Sequence, residues 1–144
     1  MNAKSKLRER LSDPNRSGVY RVSRDAEVRA SLADSGADLV DVSLGKGKEA
    51  MLSSIARALG FPEWFGDNWD ALEDSLGDLS WRKDAPRVLL LSDAVANDDL
   101  GILADILSSV ARSWRERGRA FFAVFVDPGG DLAVPALYRE RRVG

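Results

Sequence analysis

Two apolar runs constrain the fold of this chain more than anything else in it. "APRVLLLSD" (85–93) holds four consecutive apolar residues at 88–91, and "AFFAVFVD" (120–127) is the most hydrophobic stretch of the sequence. A short unbroken run of the first kind fits a strand buried on both faces, as in a parallel sheet. Parallel neighbours are joined by long crossovers, usually helical, and the sequence around the two runs reads that way.

"DLVDVSL" (38–44) sets Leu39, Val40, Val42 and Leu44 among polar residues and reads as a third strand, and "GVYRV" (18–22) as a short fourth. "SRDAEVRASLADSG" (23–36) opens on Ser23, an N-cap residue type, places Val28 and Leu32 four apart and closes at Gly36. "KGKEAMLSSIARALG" (46–60) puts Met51, Leu52, Ile55, Ala58 and Leu59 on one helical face; Gly60 stops it and Pro62 bars its continuation. "DLGILADILSSVARSWRERG" (99–118) is a long helix with Leu103, Ile106, Leu107, Val110 and Trp114 turned inward. The expected fold class is α/β, a single domain with a small, mostly parallel sheet packed with helices. Three core strands lie near 38–44, 86–92 and 120–126, with 38–44 in the middle and 19–22 added at an edge. Crossovers should be right-handed. Residues 1–17 read as a polar N-terminal arm, 18–127 as the domain and 128–144 as a basic C-terminal tail.

Composition removes whole classes of chemistry. The chain has no Cys, which excludes a disulfide scaffold and a Cys-based zinc site or nucleophile. It has no His, so the commonest general base and transition-metal ligand are also missing. Catalysis would rest on Asp, Glu, Lys or Tyr, and a hard-cation site made of carboxylates stays open. "GKGKEA" (45–50) lacks the spacing of a phosphate loop. No cofactor is expected. The first 18 residues contain no apolar run of signal-peptide type, and no segment approaches the ~20 apolar residues of a membrane span. A cytoplasmic protein with no membrane partner is the expectation.

One stretch departs from an ordinary soluble surface. "GFPEWFGDNWDALEDSLGDLSW" (60–81) carries Glu63, Asp67, Asp70, Glu73, Asp74 and Asp78 with no Lys or Arg, whereas the rest of the chain holds 17 acids against 21 bases. Three of the four tryptophans lie here too. Asp67 or Asn68 can cap a helix running to about Leu79. At about 100° per residue, Asp67, Asp70, Asp74 and Asp78 fall within an arc of about 80°, with Trp69, Leu72, Leu76 and Leu79 on the opposite side. Ala71 borders the stripe and leaves room for close approach. Like charges four apart cost roughly 0.2–0.5 kcal/mol per pair, and no Lys or Arg within the stretch relieves these. A solvated helix face could carry such charge, but local stability does not ask for it, and breaches of local consistency gather at functional sites. Phe61, Phe65 and Trp69 read as core beneath the loop. Trp64, on the approach loop beside the charges, reads as an aromatic available to a partner.

The stretch resembles the signature of the barstar family, small cytoplasmic inhibitors of barnase-type ribonucleases. The resemblance rests on Pro62, Glu63, Trp64, Phe65, Gly66, Asn68, Asp70, Ala71, Leu72 and Asp74, and with the flanking order of elements it covers roughly residues 38–127. It implies a barstar-like fold and no enzymatic activity. It also implies an inhibitory mechanism in which helix carboxylates act as phosphate mimics in a cationic active site. By position, Asp74 would enter the phosphate site, Asp70 would pair with neighbouring bases, Trp64 would pack on the rim, and Gly66 and Asn68 would give close backbone or amide contact. Two positions depart from the pattern. Glu73 stands where the family often has an aromatic, and Ser113 stands where another acid can come from the last helix, with Glu116 the nearest acid there. Asp78 is an acid that could compensate.

The expected partner-binding residues are therefore Trp64, Gly66, Asn68, Asp70, Ala71, Glu73, Asp74 and Asp78. The expected partner is a basic ribonuclease, with no direct contact to nucleic acid, and the free protein is expected to be monomeric. A barstar-like module for another basic protein or toxin is the alternative. A third reading, an enzyme using Asp70 and Asp74 as a carboxylate pair, requires a pocket rather than a ridge.

Overall fold

The computed structural model describes residues 3–62 and 67–139. Four strands, β1 (Gly18–Val22), β2 (Asp38–Ser43), β3 (Arg87–Ser92) and β4 (Phe121–Val126), form one sheet in the order β1-β4-β3-β2, and every pairing is parallel. Among the described residues five α-helices lie on its two faces: α1 (Ala3–Ser12), α2 (Ala26–Leu32), α3 (Lys48–Leu59), α4 (Trp69–Asp78) and α5 (Asp98–Glu116). The α/β class and the parallel sheet stand as read from the sequence. None of the described helices is long and apolar enough to cross a membrane.

The sheet order corrects one expectation. The 38–44 strand lies at an edge, not in the middle, and the two apolar runs take the centre as β3 and β4. The reason is visible in burial. β3 and β4 each bury five consecutive residues, whereas β2 alternates buried positions with the exposed Asp41 and Ser43. A central parallel strand is covered on both faces and cannot spare such positions. The short 18–22 strand does lie at an edge, beside β4.

Chain direction explains the two apolar layers. From β1 the chain crosses the full width of the sheet to β2, then steps back one strand at a time to β3 and β4. With one handedness of crossover, connections that run in opposite directions must lie on opposite faces. Accordingly α3, α4 and α5 share a core with Val40, Val42, Leu89, Leu91, Phe121, Ala123 and Phe125. The other face, with Val22, Val88, Leu90, Phe122 and Val124, is covered by Leu7 and Leu11 of α1 and Val28 and Leu32 of α2.

The N-terminal stretch read as a polar arm is thus a packed helix over 3–12. Leu7 and Leu11, four apart, are buried, and the Arg8 side chain donates to the carbonyls of Ser31 and Ala33 at the end of α2. The start of the basic tail is also ordered. Leu137 is buried, its N–H donates to the Arg21 carbonyl, and the Arg21 N–H donates to the Pro135 carbonyl, so 135–137 runs along the free side of β1. The 23–36 helix is shorter than expected, Ala26–Leu32, and begins after Asp25 rather than at Ser23.

Helices α3, α4 and α5 run in the same direction. Trp81 and Arg82, just past α4, both donate to the Leu59 carbonyl at the end of α3 (2.9 and 3.3 Å). Trp114 and Arg117, at the end of α5, reach the carbonyls of Leu76 and Gly77 at the end of α4. All three C-terminal ends therefore gather at the edge of the sheet where Asp38 and Arg87 open β2 and β3. There the Asp38 carboxylate, buried to 7% exposure, accepts from Arg82 (2.7 and 2.9 Å) and from the buried Arg87.

Candidate functional site

The acidic stretch becomes a helix with both ends defined by its own residues. Asn68 is the N-cap: its side-chain oxygen accepts from the Ala71 N–H at 2.8 Å, and its carbonyl accepts from the Leu72 N–H. Of the two caps the sequence allowed, Asn68 is the one used. Asp67 lies outside the helix at φ 52°, in the left-handed region that Asp tolerates better than most residues. At the other end Leu79 also takes a left-handed conformation, φ 46°, and its N–H closes the last turn onto the Ser75 carbonyl. Burial holds Leu79 there, at 1% exposure.

The two faces of α4 separate as the angular arithmetic requires. Leu72, Ser75 and Leu76 are buried, and Trp69 packs on the core half-buried, with Lys48 over its ring at 5.8 Å. Asp70, Glu73, Asp74 and Asp78 are exposed along the other side, and Ala71 is half-buried beside them. Among the described residues none of these four carboxylates is in an ion pair. The contact found for them is local: Ser80 donates to Asp78 at 3.2 Å. The structure thus brings Asn68, Asp70, Ala71, Glu73, Asp74 and Asp78 onto one short element. Trp64 and Gly66 lie outside the described residues, as do Glu63 and Phe65. Phe61 packs edge-on against Trp81 at the margin of the core.

Helix dipoles divide these carboxylates into two classes. Asp70 sits in the first turn, where the partial positive charge of the N-terminus favours an acid. Asp78 sits in the last turn, where the partial charge is negative, and α4 has no base of its own there. The cation comes from α5. Arg117 donates to the Gly77 carbonyl at 2.8 Å while lying 4.9 Å from the Trp114 ring centre, and the Trp114 indole N–H donates to the Leu76 carbonyl at 3.0 Å. Sequence reasoning missed this pair because it joins residues 38 and 40 positions apart; only the inward placement of Trp114 was legible. Ser113 and Glu116 are both exposed on the same last stretch of α5.

The arrangement is a row of exposed carboxylates, free of ion pairs among the described residues, on a helix capped at its N-terminus by Asn68. Among the described residues no group of three or more acidic side chains is arranged to hold a metal ion. A row of this kind can complement a cationic concavity. A comparison with curated proteins returns no match. A family model described as Barstar (barnase inhibitor) matches residues 38–126, which run from the first residue of β2 to the last of β4 and contain the whole acidic helix. On that match over more than half its length, the chain belongs to the Barstar (barnase inhibitor) family.

Proposed function

We propose that this protein inhibits a basic, barnase-type ribonuclease by inserting the acidic face of α4 into the enzyme's phosphate-binding cleft. The observation that carries the reading is the row Asp70, Glu73, Asp74 and Asp78, exposed on one preformed helix and free of ion pairs among the described residues. A ribonuclease must hold polyanionic RNA, so its active site is cationic. Carboxylates fixed at helical spacing meet such a cleft without first breaking intramolecular salt bridges. Asp74, mid-helix and mid-stripe, is the carboxylate assigned to the phosphate site. Asp70 and Asp78 flank it by one turn on either side, and Asn68 and Ala71 give the close approach at the N-terminal end. Trp64 and Gly66, outside the described residues, are assigned to the interface by the resemblance of their sequence to the family signature alone.

Titration of barnase-type ribonucleases against the protein, with RNA cleavage as readout, tests this. Stoichiometric loss of cleavage by the wild type, and its absence with Asp74→Ala, is the expected result. Retained inhibition by the variant would remove Asp74 from the site. One observation favours a second reading, a module for a different cationic protein. Glu73 puts a charge where an aromatic contact is the family's habit, and Asp78 extends the stripe by a further turn. Failure to inhibit any such ribonuclease, together with Asp74-dependent binding of another basic protein, would select it.

A further inference from the structure

We propose that Arg117 is a positioning residue of the acidic helix: it holds the last turn of α4 from outside, so that Asp74 and Asp78 are presented in fixed geometry. The last carbonyls of a helix have no intrahelical partner. In α4 the residue best suited by position to offset them is Asp78, an acid at the negative end of the dipole, which does the opposite. The repulsion is compounded by Asp74 one turn back. This turn also contains Gly77, the residue type with the weakest helix preference after proline. Left alone, the segment carrying the C-terminal half of the acidic stripe would fray.

Two donors from α5 prevent it. The buried Trp114 indole satisfies the Leu76 carbonyl, and the Arg117 guanidinium satisfies the Gly77 carbonyl with a charge-assisted bond. Arg117 is itself confined. Its backbone N–H bonds to the carbonyls of Ser113 and Trp114, and its guanidinium lies over the Trp114 ring. The same indole therefore serves α4 directly and provides the platform for the second donor. Arg117 is also a positive charge beside a face that, on the proposed function, must attract a cationic partner. As a bare charge it works against association. Its presence there is explained by what it does to the helix.

These two effects have opposite kinetic signatures, which makes the inference testable. It rests on the inhibitor reading only for its binding arm. In the free protein, amide hydrogen exchange of Arg117→Ala should speed up at Asp78 and Leu79 by about tenfold, the loss of one charge-assisted hydrogen bond. Leu72, held by the Asn68 cap, should be unaffected. Arg117→Gln, which keeps a donor without the charge, should restore most of the protection. Uniform exchange across α4 in Arg117→Ala would overturn the proposal whatever the partner.

With barnase as the probe, Arg117→Ala should associate faster, having lost a repelled charge, yet dissociate about tenfold faster through the loosened turn. Arg117→Gln should keep the faster association with near wild-type dissociation. An unchanged dissociation rate in Arg117→Ala would reduce Arg117 to a spectator charge. If the wild type does not bind barnase, the exchange arm alone decides, and that failure counts against the inhibitor reading instead. If Arg117→Ala does not fold, Arg117→Gln against wild type in the same exchange measurement decides it: most of the wild-type protection must remain, and a loss of about tenfold at Leu79 overturns the donor role.

Discussion

Asp74 is where stability and the proposed binding pull in opposite directions. It has a like charge four residues away on both sides, Asp70 and Asp78, and no ion-pair partner among the described residues. Asp74→Ala removes both repulsions and introduces the best helix former, so the free protein should gain roughly 0.5–1 kcal/mol in urea unfolding. A loss greater than about 1 kcal/mol would show a structural aspartate. Asp38 is the opposite kind of carboxylate. The hydrogen bond from Arg82 is the main cause that holds its pKa below the ordinary 3.8, Arg87 adds to it, and burial opposes both. Because the folded value lies below the unfolded one, its contribution to stability is complete above about pH 4 and is lost as the pH falls through the folded value. Asp38→Ala leaves Arg87 buried without its counter-charge and should cost about 3 kcal/mol at neutral pH. The gap from wild type should narrow in urea melts taken below pH 4; a gap independent of pH would mean that packing, not charge, is at stake. Nothing local in the sequence distinguished these two aspartates. Asp38 owes its role to Arg82 and Arg87, 44 and 49 residues away.

At the scale of elements, what could be read in advance was what depends on near neighbours. The Asn68 cap, the Gly60 stop with its φ of 67°, and the split of α4 into a leucine face and a carboxylate face follow from spacings of a few residues. The strand types of β3 and β4 followed from unbroken apolar runs. Strand order did not, because the alternation in β2 marks a strand by local spacing while its place in the sheet is set by which neighbours cover it. Helix α1 was hidden by composition: eight of its ten residues are other than leucine, and the two leucines at 7 and 11 carry the packing. Gly77 offers a test at this scale. It lies in the helix with ordinary φ, and a Cβ there would meet no atom within 4 Å. Gly77→Ala should therefore stabilise the free protein by about 0.5–1 kcal/mol, measured as a shift of the urea midpoint without change in slope. Destabilisation would mean that the bond from Arg117 demands a carbonyl tilt that alanine resists.

For the whole molecule, the aligned helices α3, α4 and α5 are flanked by an asymmetric set of side chains that offsets their dipoles. Carboxylates stand in the first turns of α3, α4 and α5, and the arginines at 82, 87, 115, 117 and 119 collect toward their C-terminal ends. A second asymmetry concerns growth. The sheet has one margin bridged at Arg21 by 135–137 and one, β2, that pairs only with β3 among the described strands. A margin of unpaired amides is a template for another chain, and here the exposed Asp41, held by Arg29, stands guard over it. A molecule with a single reactive margin behaves like a monofunctional monomer in polymer chemistry: it can couple once and then has no end left to extend. Asp41→Val should accordingly produce a discrete two-fold dimer through paired β2 strands, seen by light scattering, and never a fibre. Should the variant form higher oligomers, the bridge at 135–137 is not holding.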